Sequence, residues 1–348
     1  MRFVLLRTAT MGLVLGLAIG VFAVVVALGG ESPSAVLLTL GAAGTNSTYG
    51  LAEAVVKSIP VLLCALAAAI PGRLGLVNIG GEGQLLLGAI GAALAAQLAL
   101  GLPLAATLIL MTLFAAVFGS TWGLLPGILR GLTRANEIVI SLLLNYVAGL
   151  MLLHLIHGPW KDPASLGWPQ GVALAETARL PGLAGTRIHP LIWVALALCG
   201  LLAFAARRTV AGMAARVIAA NPTVGRYLGL RVPAYYVVAF AVAGAIAGLA
   251  GFGELSGIQG RLREGLSLGY GYAGFFVAWL CRNHFPWLPV GALAFSIVIT
   301  GADALQVSAG MPFATVYLLQ GLVFLAILAA VSLEREILRR WAARGGAA

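Results

Sequence analysis

The chain has 348 residues, 61% hydrophobic and only 9% charged, against about 25% charge in a soluble domain. It lacks the polar surface a water-soluble fold needs, which excludes that class and leaves an all-α polytopic membrane protein. The formal net charge of +10, from 21 basic and 11 acidic residues, comes with no RNA- or DNA-binding module; it reads as arginines that orient helices and meet anionic lipid headgroups, with membrane lipid and no nucleic acid as partner.

The apolar run 11–28 follows Arg2 and Arg7 and resembles a signal peptide. It is long enough to span, however, and Gly29-Gly30-Glu31 is a poor cleavage site. Gly12, Gly16 and Gly20 recur at the four-residue spacing that suits close helix packing in lipid, so the run is expected as a retained first helix. Further spans are expected near 58–72, 82–100, 103–127, 136–157, 189–206, 234–254, 270–281, 286–304 and 313–332, with the first near 9–29. The sum is about ten, in a single transmembrane domain covering 1–348, with membrane-spanning residues 9–332. Several of these spans are short. Pro71-Gly72-Arg73 ends one, and the 280–286 region breaks another. Interrupted helices are tolerated at membrane depth only where their backbone is buried in protein or lines a cavity.

Placing the N-terminus inside and alternating puts 15 of the 21 basic residues on the inner side. The outer side then holds only Lys57, Lys161, Arg179, Arg187, Arg261 and Arg263. The positive-inside rule therefore favours both termini inside. The outer loop 158–188 reads equally as a lid or docking surface and as a plain connector.

The inner loop 207–233 carries capping punctuation. Asn221 is a good N-cap, Pro222 fits the first helical position and Gly229 suits a left-handed terminator. These predict a short helix at 222–228, preceded by another near 211–219. Two capped helices in a loop suit a rigid knob gripped by a motor subunit, or an interfacial helix resting on lipid; both readings stand at this point. The candidate contact residues are Arg216, Asn221, Pro222, Gly225, Arg226 and Gly229.

The stretch GLVNIGGEGQLLLGA, at 75–89, packs glycines, two amides and an acid around a helix start. Glu82 falls in the first helical turn, where the dipole favours an anion. No strand precedes it, so it is not a phosphate-binding glycine loop, and no Walker A sequence occurs anywhere. Candidate pathway residues are Asn78, Glu82, Gln84, Asn145, Tyr270 and Tyr272. For Asn78, Glu82 and Gln84, organising the backbone break is the favoured role over lining a path. For Asn145, glue between helices is slightly favoured over a bond to solute, and the two tyrosines read equally as membrane-interface anchors. Glu254, Arg261 and Arg263 cluster beyond the seventh span as a candidate docking surface for another protein. Gly244 and Gly248 read as helix packing. Cys64, Cys199 and Cys281 sit in or beside apolar runs at no metal-ligand spacing, which implies buried thiols and no metal.

The GLVNIGGEGQLLLGA stretch resembles the "FNIG-x-EGQ" signature of the branched-chain amino acid/ribose-type permeases of bacterial ABC importers, in the nucleoside and simple-sugar branch. ANEIVISLLLNYVAGL at 135–150, followed by GPWKDP, resembles that branch's "NE-x-x-x-x-LMLNYIA" helix. NPTVGRYLGLRV at 221–232 resembles its "NP-x-AARYAGI" coupling segment, and GLSLGYGYAGFFVAWLCRNH at 265–284 its "G-x-GYGF-x-GIAVALLGR" segment. The matches stand in the family's order from about residue 50 to 330. Two departures are Val224-Gly225, where alanines are usual, and Trp279 and Cys281, which replace smaller residues.

The resemblance implies a channel-forming subunit without catalytic residues, resident in the bacterial inner membrane. It implies an ABC ATP-binding subunit that uses ATP, so that this chain binds no cofactor. It also implies a second, related permease in a heterodimer and a periplasmic or lipid-anchored solute-binding protein. The solute would be small and uncharged, a nucleoside or a simple sugar. The competing class, an ion-gradient-driven transporter, often needs a titratable residue in mid-membrane, whereas the acids here fall mostly at expected helix ends. A membrane enzyme lacks any metal or nucleophile constellation.

Overall fold

The computed structural model describes residues 32–309 apart from positions 134 and 184, together with isolated positions within 16–30 and 318–333. Among the described residues the regular elements are all helical and no strand forms. The expected first and last spans, 9–29 and 313–332, lie outside the described residues save for those isolated positions. The chain divides into a larger unit, Ala52–Ser296, and a smaller one made of Met1–Leu51 and Ile297–Ala348.

Helix α1 (Pro33–Ala43) starts with proline in its first turn, after Ser32. At 11 residues it is too short to cross a bilayer, and the span pattern did not anticipate it. Helix α2 (Thr48–Gly72) begins ten residues before the expected 58. Glu53 and Lys57 interrupt the apolar run in its early turns, but both are accommodated: Glu53 pairs with Arg187 at 3.1 Å and Lys57 is buried. Helix α3 (Gly81–Leu98) is buried along nearly its whole length. Helix α4 (Leu104–Thr133) runs six residues beyond the expected end, and α5 (Glu137–His157) follows.

The second half opens with α6 (Leu191–Arg208), α7 (Val210–Ala220) and α8 (Pro222–Tyr227). Helix α9 (Val232–Gly253) continues into a π-helical turn, Glu254–Gln259, that the span pattern did not anticipate. Helix α10 (Tyr270–Leu280) ends where two consecutive left-handed residues, Arg282 and Asn283 (φ 53° and 54°), turn the chain before α11 (Leu288–Ala309).

Six described helices are long and apolar enough to cross a membrane: Thr48–Gly72, Leu104–Thr133, Glu137–His157, Leu191–Arg208, Val232–Gln259 and Phe285–Gln306. Helix α3 has 18 residues, but Glu82, Gln84 and Gln97 lower its apolar character, and α10, at 11 residues, is too short to cross fully. Both are mostly buried in the protein rather than facing lipid.

The larger unit is organised around α9, which packs on α4 and α3. Its glycines set the approach. A Cβ on Gly244 would strike the carbonyl of Gly119, one on Gly248 the carbonyl of Ala115, and one on Gly251 the carbonyl of Leu85. Gly88 of α3 meets Gly248 in the same way. Gly244-x-x-x-Gly248 is therefore a packing motif: without side chains between them, the backbones come close enough for dispersion to act. The loop 158–188 is fastened to the segment after α9. Gly171 N–H donates to Leu262 O (2.8 Å), Leu174 N–H to Gly260 O (2.8 Å) and Leu180 N–H to Ser256 O (3.1 Å).

Substituting Gly244 or Gly248 with valine forces α4 and α9 apart and lowers stability by about 1–3 kcal/mol, the range for overpacking. Gly200→Val on α6, where nothing lies within 4 Å of an added Cβ, serves as the neutral control. Thermal unfolding in detergent separates them.

Candidate functional site

Between α2 and α3 the backbone is unwound. Pro71 lies in the last turn of α2, Gly75 takes a left-handed conformation (φ 79°), and residues 76–79 have no regular structure before α3 opens at Gly81. In apolar surroundings each amide of such a stretch needs a partner from the protein. One face of α5 supplies them. Glu137, Ser141 and Asn145 are spaced four apart, so they line one stripe of the helix.

Val77 N–H donates to Glu137 Oε1 (3.4 Å), Ile79 N–H to Ser141 Oγ (3.3 Å) and Gly83 N–H to Asn145 Oδ1 (2.9 Å). Asn145 Nδ2 donates in turn to Ile79 O (2.9 Å) and to the Tyr272 hydroxyl on α10 (3.3 Å). Within the break, Asn78 Oδ1 accepts from Gly80 N–H at 3.0 Å, and the Asn78 and Gln84 amides exchange bonds at 3.2 and 3.3 Å. Asn78 Nδ2 also reaches back to Ala67 O on α2 (3.3 Å). Asn78, Gln84 and Asn145 are all buried.

Glu82 serves two helix starts. It stands in the first turn of α3, and its Oε2 accepts from Gly271 N–H (2.8 Å) in the first turn of α10. Gly269 N–H and Ser267 also hydrogen-bond to its carboxylate. An anion placed between two N-termini draws on both dipoles. Gly271 permits the approach, since a Cβ there would meet the Glu82 backbone. At the other end, Glu137 pairs with Arg130 of α4 at 3.3 Å.

Of the six candidate pathway residues, five join this knot: Asn78, Glu82, Gln84, Asn145 and Tyr272. Tyr270 is buried at the start of α10 rather than standing at an interface. Ser141 belongs to the knot and went unnoticed in the sequence, although a polar residue midway between Glu137 and Asn145 on one helical stripe was the available signal. Trp122 of α4 also reaches it. Its indole nitrogen is buried without a hydrogen-bond partner beside Gly83.

In the 207–233 loop the punctuation appears as read. Asn221 accepts from Thr223 N–H (2.9 Å) and Val224 N–H (3.4 Å), Pro222 opens α8 and Gly229 is left-handed (φ 80°). The helix ends at Tyr227, one residue short of the expected 228. Gly225 is buried against Ile218, where a Cβ would sit 3.2 Å from the isoleucine side chain, so the departure from alanine suits a tighter seat of α8 on α7. Arg226 is exposed. Arg216 turns back and donates to Ala206 O of α6 (2.6 Å). Trp279, the other departure, packs its ring on Phe275 (centroids 5.4 Å apart).

Beyond the π-helical turn, Arg263 is exposed and Arg261 pairs loosely with Asp162 (3.8 Å). Glu254 is only 3% exposed, held in the π-helical turn with Gln259 hydrogen-bonded to its carboxyl. Burial takes it off the docking surface expected of it. Cys64, Cys199 and Cys281 are free thiols, and among the described residues no three of His, Cys, Asp and Glu come together as a metal set.

Residues 50–328 match the family described as branched-chain amino acid transport system / permease component. The chain belongs to this family. As a multi-pass permease it is similar to the glucose ABC transporter permease protein of Haloferax volcanii, 32% identical over 83% of this chain and 79% of that one. It is 28% identical to the guanosine ABC transporter permease protein of Bacillus subtilis over 92% of each chain. It is also 28% identical to the probable riboflavin import permease protein of Treponema pallidum, over 94% of this chain and 87% of that one. The permease's knot and its 207–233 loop both lie inside the matched range.

Asn145→Leu leaves Ile79 O and Gly83 N–H of the permease unpaired and costs about 1–3 kcal/mol for each orphaned group. Tyr272→Phe removes one bond at the edge of the knot and costs less. Denaturation of the two variants in detergent, with solute uptake in parallel, gives the order.

Proposed function

We propose that this chain is the channel-forming permease subunit of an ATP-driven ABC importer that carries a small uncharged solute, a nucleoside or a simple sugar, across a bacterial inner membrane. Membership of the permease family over residues 50–328 carries this reading. The solutes in the relatives' names, glucose, guanosine and riboflavin, are hydroxyl-bearing ring compounds, which suits a pathway of amides and aromatics with few charges.

In this reading the chain makes ten crossings with both termini inside, and the bias of basic residues supports that sidedness. ATP is bound and hydrolysed by a partner subunit, and this chain holds no cofactor. The partner grips α7 and α8. Val224, Tyr227 and Leu228 stand 45, 88 and 65% exposed there, and exposed apolar side chains on a rigid capped helix suit a protein groove. Motion of α8 passes through the buried Gly225 seat to α7. A second, related permease completes the channel as a heterodimer, and a solute-binding protein docks on the outer surface near Arg261 and Arg263.

Asn78, Glu82, Gln84, Asn145, Tyr270 and Tyr272 act on the solute by holding the break and the start of α10 in place. An ion-gradient transporter is the alternative; Glu82, used as a helix cap, and Glu137, used as an arginine partner, speak against it, and the buried Glu254 is the acid it would have to use.

Arg226→Glu and Tyr227→Ala weaken association with the ATP-binding subunit and cut uptake by about tenfold or more, the scale of losing 1.4 kcal/mol or more at an anchor, while the permease still inserts and folds. Uptake that persists without ATP and collapses with the proton gradient would overturn the importer reading. Competition of labelled guanosine uptake by glucose, and the reverse, assigns the solute.

A further inference from the structure

Beside the inner loop a groove of about 230 Å³ runs between α6, α7 and α9. Its walls are apolar, among them Leu202 and Ala206 of α6, Ala211 and Ala215 of α7, and Val238 and Val242 of α9. Leu202 and Ala206 descend α6 while Val242, Val238 and Tyr235 descend α9, so the groove follows two membrane-spanning helices for more than a turn. Val238 and Val242 are exposed along it.

At its lower end three arginines gather. Arg73 lines the groove, and its guanidinium lies 5.9 Å from the centre of the Phe285 ring, itself a lining residue. Arg216 donates to the carbonyl of Ala206 (2.6 Å), and Arg207 Nη2 lies 3.4 Å from His284 Nε2, one residue from Phe285. Among the described residues no carboxylate pairs with any of the three. Burial, with Arg216 and then Arg207 nearby, pushes the Arg73 guanidinium below its usual value, as expected of cations held together without a counter-ion.

We propose that this groove is a binding site for an anionic phospholipid, with an acyl chain lying between α6 and α9 and the phosphate held by Arg73, Arg207 and Arg216. The occupant must be apolar along the membrane-spanning helices and anionic at one end, and a phospholipid has that shape. An acidic face of a protein partner would answer the arginines but would leave the apolar length empty. The proposal stands on the membrane-spanning helices and not on the transport reading.

The test uses the full-length chain purified in neutral detergent and offered phosphatidylglycerol or phosphatidylcholine with the same acyl chains. Lipid retained is counted by native mass spectrometry. The wild type is expected to retain phosphatidylglycerol in preference. Arg73→Gln and Arg207→Gln each reduce that retention by about fivefold, the scale of one basic residue at a lipid surface. Arg73→Lys preserves it, and its thermal unfolding beside that of Arg73→Gln separates lost charge from lost fold. Ala211→Trp, which fills the groove from an exposed position, lowers retention of phosphatidylglycerol with the arginines intact. Equal retention of the two lipids, or unchanged retention in the glutamine variants, overturns the proposal. So does Ala211→Trp retaining phosphatidylglycerol as the wild type does, which would mean the arginines hold an anion without its chain. Loss of ATP-binding-subunit association in the glutamine variants, with lipid retention unchanged, would make the cluster a protein-docking face and overturn it as well.

Discussion

An unwound backbone buried among apolar helices has no water to satisfy it, so its amides and carbonyls must find partners in the chain or cost several kcal/mol each. The segment between α2 and α3 imposes this demand, and much of the surrounding architecture meets it. The α5 stripe Glu137, Ser141 and Asn145 bonds to Val77, Ile79 and Gly83 in register, one residue per helical turn. Because Asn145 also bonds to Tyr272, and Glu82 caps α10, the break connects α3, α5 and α10. A shift of any one of these helices breaks bonds to the others.

The glycine crossing of α9 with α3 and α4 sets where that knot can form. Gly88 against Gly248 and Gly119 against Gly244 bring the backbones together without intervening side chains. Gly83, five residues and about a turn and a half before Gly88 along α3, then falls beside Trp122 of α4 and Asn145 of α5. Close approach and polar satisfaction are thus neighbours on the same helix. Elsewhere α4, α5 and α6 bury little of their length and present apolar side chains outward, as helices facing lipid or a partner subunit do.

Short-range chemistry was legible in the sequence. The Asn221 cap, Pro222 at the helix start and Gly229 in the left-handed region depend on residues two to seven positions apart, and all three form. The Gly244–Gly248 packing motif was legible for the same reason. What failed was anything decided by a partner far along the chain. Glu53 and Lys57 hid the start of α2, because nothing local shows that Arg187 will meet Glu53. Glu254 read as a member of a charged cluster offered for docking, and the π-helical turn carries it inside. Ser141 was passed over because a serine in an apolar helix is unremarkable until the unwound Ile79 amide is placed opposite it.

By itself, then, the sequence determined that the chain is helical and membrane-embedded, that it breaks near residues 71–80 and 280–286, and that its motifs are those of a transport permease. The first two follow from composition, punctuation and local spacing, which act within a few residues; the third rests on the resemblance of those motifs to a known family. The tertiary structure alone decided which side chains heal the break, that Glu82 in the first turn of α3 also caps α10, and that Arg73, Arg207 and Arg216 converge at the end of one groove. Those outcomes depend on residues up to about two hundred positions apart meeting in space, as Glu82 and Gly271 do, and such meetings are set by helix packing rather than by any local pattern.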